Sequence, residues 1–237
     1  MSRKARRKKQ MSNVISFSNY LTEKSHEANP KARTPGQQKL LDLLMQYQYR
    51  IIVALGPAGT GKTYLATVRA IQRLQNSEID KIVITRPATS VDEQHGFLPG
   101  DLKSKMEPWV KPITDVFEQH FLPGQVDEMI RRNQLEIAPL AYMRGRTFND
   151  AFIIGDEMQN ATPNQMKMLL TRLGRGSQMV VTGDVRQADR LEENGLVDFR
   201  RLYNGWMNPE FVKFVELNKT DVQRHPAVQE VLSMYGD

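Results

Sequence analysis

The run "YRIIVALGPAGTGKTYL", residues 49–65, constrains the fold more than any other part of the chain. Ile51 to Leu55 form a continuous apolar stretch, as expected of a strand buried on both faces of a parallel sheet. Three glycines follow, Gly56, Gly59 and Gly61, then Lys62 and Thr63 at the start of a helix-forming sequence. This is the spacing G-x-x-x-x-G-K-[ST], in the strand–loop–helix setting it requires. The glycines let the backbone wrap closely around phosphates with amide N–H groups pointing inward, and the helix N-terminus adds partial positive charge. Pro57, Ala58 and Thr60 complete the loop, and Tyr64 follows it. Lys62 is placed to reach β- and γ-phosphates, and the Thr63 hydroxyl to coordinate Mg²⁺. A chance glycine-rich turn would lack the matched strand and helix, so the chain is expected to bind a nucleoside triphosphate.

The rest of the chain fits the same architecture. "KIVITRP" (81–87), "LEIAPLAYM" (135–143), "AFIIGDE" (151–157), "QMVVTGD" (178–184) and "FVKFVEL" (211–217) read as strands. Helical patterns separate most of them. "ARTPGQQKLLDLLMQYQ" places Leu40, Leu41, Leu44 and Met45 at helical spacing. "TPNQMKMLLTRLG" has Thr162 as N-cap, Pro163 at N1, Gln165 completing a capping box and Gly174 as the stop. Met166, Leu169, Leu170 and Leu173 are its predicted buried face. A last helix is expected over about 226–235, and one or two proline-broken helices within 96–133. Strands alternating with helices imply an α/β fold with a mostly parallel sheet flanked by helices. The predicted organisation is a flexible basic arm over 1–30 and one domain over 31–237.

The phosphate loop gives meaning to "GDEMQN". A second buried strand, expected beside the first, would deliver Asp156 to the Mg²⁺ through a water. Glu157 would then orient and deprotonate the attacking water. Two adjacent acids favour hydrolysis over phosphoryl transfer to another substrate. A third strand, "MVVTGDVRQ", brings Asp184 and Gln187 near a γ-phosphate if it adjoins the phosphate-loop strand. Arg224, just before the last helix, is a candidate for stabilising transition-state charge within one chain or across a subunit boundary, and a surface ion pair is the alternative. Arg172 and Arg175 are further candidates for that role.

Composition narrows the remaining classes. The chain of 237 residues has no cysteine, which excludes disulfides, Cys-ligated zinc and iron–sulfur clusters. Its four histidines show no metal-ligand spacing. No apolar run approaches the roughly 18 residues of a membrane span, and no signal-peptide core is seen, so a cytoplasmic location without membrane contact is expected. The net charge of +6 comes from "MSRKARRKKQ", whose six basic residues leave 27 basic against 27 acidic in the body. That block either grips phosphate backbones or merely solubilises the chain.

Taken in order from about residue 33 to 235, "GPAGTGKT", "TRPAT", "GFLPGDL", "EIAPLAYMRGRTFNDAFIIGDEMQN", "TPNQMKMLLTRLG", "MVVTGD" and "DVQRHP" resemble the PhoH family of phosphate-starvation-inducible ATPases. The resemblance implies a single RecA-like P-loop NTPase domain related to superfamily 1 helicases. It also implies ATP as nucleotide, single-stranded RNA or DNA as partner, and assembly into a homo-oligomer, with a hexameric ring as the model. Position by position, it implies that Gln37 lies on the adenine side. It implies that Arg86 contacts a nucleic-acid strand, and that Asp184 and Gln187 match the helicase G-D-x-x-Q segment. Lys62, Thr63, Asp156, Glu157 and Arg224 match the family's loop pair, acids and late arginine. The family's usual "ILDEAQN" is replaced here by Gly155 and Met158, which puts the seating of the two acids in question. Two readings follow: a nucleic-acid-stimulated ATPase, with helicase action included, or a nucleotide-gated binding module that hydrolyses slowly without unwinding. A P-loop kinase is disfavoured by the paired acids.

Overall fold

The computed structural model describes residues 26–87, 111–122, 124–187 and 194–235. Among the described residues, six strands form one sheet: β1 (Ile51–Leu55), β2 (Lys81–Arg86), β3 (Leu135–Pro139), β4 (Ala151–Gly155), β5 (Gln178–Gly183) and β6 (Val212–Glu216). Their order is β3-β2-β4-β5-β1-β6, and every neighbouring pair is parallel. The helices are α1 (Pro35–Leu44), α2 (Lys62–Gln75), α3 (Gln125–Arg131), α4 (Pro163–Leu170), α5 (Gly195–Gly205) and α6 (Pro226–Met234), with a further helical stretch over 111–118.

The two-residue period of a strand divides the core into two layers. Ile52, Ala54, Ile82, Ile84, Phe152, Ile154 and Val180 face one side, where they pack with Leu40 and Leu44 of α1, Leu65 and Ile71 of α2, Phe117, and Met129 of α3. Val53, Leu55, Val83, Ile153, Met179 and Val181 face the other, against Met166 and Leu169 of α4 and Leu196 of α5. Helices thus cover both faces, which is why these strands are apolar throughout rather than alternating.

The expected strands and the last helix are in place, with three differences. The buried strand that leads to Asp156, β4, does not lie beside β1: β5 is inserted between them. Segment 135–143 is strand only to Pro139 and then turns into a 3-10 helix, Leu140–Met143. Helix α4 has its capping box but ends at Leu170, before Gly174. Gly174 instead admits a close approach of strand-entry backbone, since a Cβ there would lie 2.8 Å from the Phe148 carbonyl carbon. Most of the expected arm lies outside the described residues, but within 26–30 Ala28 and Pro30 are buried, and the Ala28 N–H donates to Gln75 Oε1 at 2.9 Å. Of the stretch 96–133 where one or two proline-broken helices are expected, 96–110 and 123 lie outside the described residues, and the rest holds the helical stretch 111–118 and α3.

Candidate functional site

The sheet's parallel sense places the carboxyl ends of β1, β5 and β4 side by side, and the site is built there. Leu55 pairs with Gly183, and Gly155 with Val181, so the three strands end nearly level. The loop after β1 turns through Gly59 (φ 82°) and Gly61 (φ 79°), left-handed conformations that side-chain-bearing residues adopt at a cost. Gly61 is the N-cap of α2, whose first residue is Lys62.

Lys62 is buried. Its Nζ donates to the carbonyl oxygens of Gly56 (2.5 Å) and Pro57 (2.8 Å) and to Thr60 Oγ1 (3.3 Å). Burial pushes its ammonium pKa below the usual value, and the carboxylates of Asp184, Glu157 and Asp156 partly push it back. Next to it, Thr63 Oγ1 donates to Asp156 Oδ1 at 2.7 Å, and Thr182 Oγ1 donates to the same oxygen at 2.6 Å. Thr182 lies one step past the Gly155–Val181 pair, so the inserted β5 brings its hydroxyl between the phosphate-loop residue and the acid.

Asp156 continues the β4 ladder, its N–H donating to Thr85 O at 2.8 Å. The chain then bends sharply, with Glu157 in the left-handed region (φ 51°, ψ 38°). A non-glycine residue held there costs of order 1–3 kcal/mol and persists only when its surroundings fix it. One fixing contact is Gln159, whose Nε2 donates to Glu157 Oε2 at 2.5 Å. Gly155 and Met158 are complementary. A Cβ on Gly155 would lie 2.7 Å from Leu169 Cδ2 and 3.3 Å from Met158 Cγ, and Met158 is wholly buried. The methionine occupies space that a larger residue at 155 would claim, so the acids emerge from a filled core.

The other sequence candidates fall as follows. Asp184 directly follows β5 beside the loop, and its Oδ1 accepts from Arg186 N at 3.0 Å. Gln187 lies in the following 3-10 turn, Val185–Gln187. Tyr64 is half-exposed at the mouth of the cleft, which has a volume of about 250 Å³. Pro57, Ala58 and Thr60 form the loop, with Thr60 Oγ1 donating to Pro57 O at 2.8 Å. Arg224 reaches the loop of its own chain: Gln223 N donates to Gly59 O at 2.9 Å, and a Cβ on Gly59 would lie 2.6 Å from Arg224 Nε. Gln37 is buried against the loop, and both ends of its amide are engaged. Oε1 accepts from Arg33 N at 2.8 Å, and Nε2 donates to Thr60 O at 3.0 Å. Arg86 ends β2 at the same edge of the sheet, separated from the loop by β4 and β5.

Arg172 and Arg175 are not part of the site. They precede β5, at the opposite end of the sheet, where Arg172 donates to Met168 O and Arg146 O, both at 2.9 Å. Two site residues escaped the sequence reading. Thr182 is the residue just before "GD", and Gln159 is the fourth letter of "DEMQN"; their roles depend on β5 being inserted beside β4, which the sequence pattern did not convey.

This arrangement of phosphate loop, buried lysine and strand-end acids defines a P-loop protein of the ATPase type. The PhoH-like protein family model matches residues 30–236, and the chain belongs to the PhoH family. It is 44% identical over 207 residues to a PhoH-like protein of Synechocystis, covering 86% of this chain and 62% of that one. It is 42% identical over 217 residues to a PhoH-like protein of Bacillus subtilis, covering 91% of this chain and 66% of that one. The chain therefore spans a little under two thirds of these relatives' lengths. Among solved structures it is similar to the UvsW helicase of bacteriophage T4, with a TM-score of 0.46 and 15% identity over 86% of this chain and 69% of that one. At that TM-score the likeness carries no argument about activity. No helix among the described residues is long and apolar enough to cross a membrane.

Proposed function

We propose that this chain binds ATP with Mg²⁺ in the cleft and hydrolyses it in the cytoplasm, and that single-stranded nucleic acid, RNA foremost, stimulates turnover. The observation that carries the reading is the convergence of Thr63 and Thr182 on one oxygen of Asp156, with Glu157 at the next position. A carboxylate and two hydroxyls form a small, all-oxygen donor set, which fits Mg²⁺. Bound there, the ion would neutralise charge on the β- and γ-phosphates. Lys62 would exchange its contacts with loop carbonyls for phosphate oxygens. Those contacts orient its ammonium within the loop, and its burial makes an incoming anion a strongly favoured partner. Glu157 would accept a proton from the attacking water, and Arg224, lying over Gly59, would complete the positive surround within the same chain.

Nucleic-acid stimulation draws on Arg86 at the shared edge of the sheet and on the basic residues near the N-terminus. Self-association into a ring, with six copies as the model, is part of the same proposal. It draws on the apolar side of α6, where Val228, Val231, Met234 and Tyr235 are exposed a few residues beyond Arg224. Such a neighbour would supply the second wall of a closing cleft for duplex unwinding. The test is steady-state ATP turnover with and without single-stranded RNA and DNA, alongside light scattering with and without ATP and Mg²⁺. Stimulated turnover by an oligomer is expected. Slow turnover indifferent to every nucleic acid would favour the nucleotide-gated binding module, and a strict monomer would remove the ring.

A further inference from the structure

Gln159 is 2% exposed and makes two hydrogen bonds that no secondary-structure element needs. Its Nε2 donates to Glu157 Oε2 at 2.5 Å, and its Oε1 accepts from the backbone N–H of Asp184 at 3.1 Å. The partners fix the amide's orientation, since a carboxylate only accepts and a backbone N–H only donates. One side chain therefore ties the end of β4 to the end of β5.

The surroundings are shaped to admit it. A Cβ on Gly183 would lie 2.8 Å from Gln159 Oε1 and 3.2 Å from Gln159 N, so only glycine leaves this space open without displacement. Met158 and Ala161 anchor the same turn in the core. Glu157 itself sits in a left-handed backbone conformation that its own chain does not favour. Lys62 bonds to loop carbonyls and a hydroxyl rather than to Glu157.

We propose that Gln159 is a positioning residue: it aims the Glu157 carboxylate at the water-attack position and links that aim to the Asp184 turn. This inference rests on Glu157 being the base of the proposed reaction. Its consequence is that a shift of the Asp184 N–H moves the amide and, with it, the carboxylate. The end of β5 thereby becomes an input to catalysis rather than only a wall of the cleft. The contribution is geometric. A misplacement of about 1 Å in a reacting group can cost on the order of a hundredfold in rate while leaving substrate affinity intact.

The test is a double-mutant cycle on turnover with ATP and Mg²⁺. Gln159→Met keeps the volume and removes both hydrogen bonds. In the otherwise unaltered protein it is expected to lower kcat by about tenfold or more, with KM for ATP changed less than about twofold. In a Glu157→Gln background the same change is expected to cost less than about twofold, because the group it aims is already gone. Gln159→Asn keeps the amide but shortens it by one methylene, so it cannot reach both Glu157 Oε2 and the Asp184 N–H. It is expected to show the same kcat loss, and it stands in if Gln159→Met does not fold. Unaltered kcat in both variants, or an equal loss in both backgrounds, would overturn the positioning role while leaving Glu157 as base. Wild-type turnover by Glu157→Gln alone would instead remove the base assignment, and this inference with it.

Discussion

The two ends of the sheet treat buried charge in opposite ways. At the amino end, the buried guanidinium of Arg73 meets Glu78 Oε2 at 3.1 Å and Gln178 Oε1 at 3.3 Å, while Arg69 lies 3.8 Å from the same Glu78 oxygen. Tyr47 donates to Glu78 and lies beneath both guanidiniums. Close by, Glu136 bridges Arg146 and Lys81, and the Arg146 hydrogen bond, with Lys81 assisting, holds its carboxyl pKa at about 2. At the carboxyl end, Lys62, Asp156, Glu157 and Asp184 lie within one cleft, yet among the described residues none of them forms an ion pair within 4 Å. Their hydrogen bonds go to carbonyls, hydroxyls and amides. The amino end pairs its buried guanidiniums with a carboxylate of the same chain and stabilises the fold. Among the described residues, the carboxyl end gathers a buried cation and three acids that interact across the cleft without direct ion pairs.

This contrast can be broken from either side. The largest stability effect is expected at the amino end. Glu78→Ala leaves two buried guanidiniums without their carboxylate and should cost about 3 kcal/mol in urea unfolding, with ATP affinity unchanged below the melting transition. A loss of ATP affinity in the folded variant would show that the two ends are coupled. The next effect lies beneath the site. Gly155→Leu should cost about 2 kcal/mol by overpacking against Leu169 and Met158. Met158→Ala should cost a similar amount through the cavity it leaves. The double variant should recover at least about 1 kcal/mol of the sum, since the two positions share one volume. Strict additivity would mean that they do not.

The smallest effect is pH-dependent. The folded pKa of Glu136 is about 2, below its ordinary 4.5, so its contribution is fully present above pH 4.5 and is lost as pH falls through about 2. Glu136→Gln should therefore destabilise the protein by roughly 1 kcal/mol near neutrality, a figure kept small by partial solvent screening. Urea midpoints for the variant and the unaltered chain should converge as pH falls through that window. A gap independent of pH would remove the ionic explanation.

Much of this was legible in the sequence where the residues are contiguous. "GPAGTGKT" and "GDE" announce the loop and acids because local chain order carries their chemistry. The parallel sheet followed from apolar runs alternating with helical patterns. Strand order was less legible, since sequence gives no direct measure of which strand inserts between β1 and β4. That order is what brings Thr182 to Asp156 and Gln159 to Asp184. The puzzle of Gly155 and Met158 resolves for the same reason: each looked off-pattern alone, but they are three residues apart on a turn where one fills the space the other leaves. Arg224 was legible as a candidate, and its placement over Gly59 of its own chain needed the fold. Arg172 and Arg175 lie at the opposite end of the sheet, so they do not reach the site of their own chain.

The central claim is that the carboxyl end of the sheet is a catalytic centre and not only a nucleotide grip. The most direct measurement is Glu157→Gln, read for ATP affinity and for turnover in the same preparation. The account predicts ATP binding within about threefold of the unaltered chain and hydrolysis slowed at least about a hundredfold, the usual scale for losing a general base. Turnover at the unaltered rate, with ATP bound normally, would contradict it.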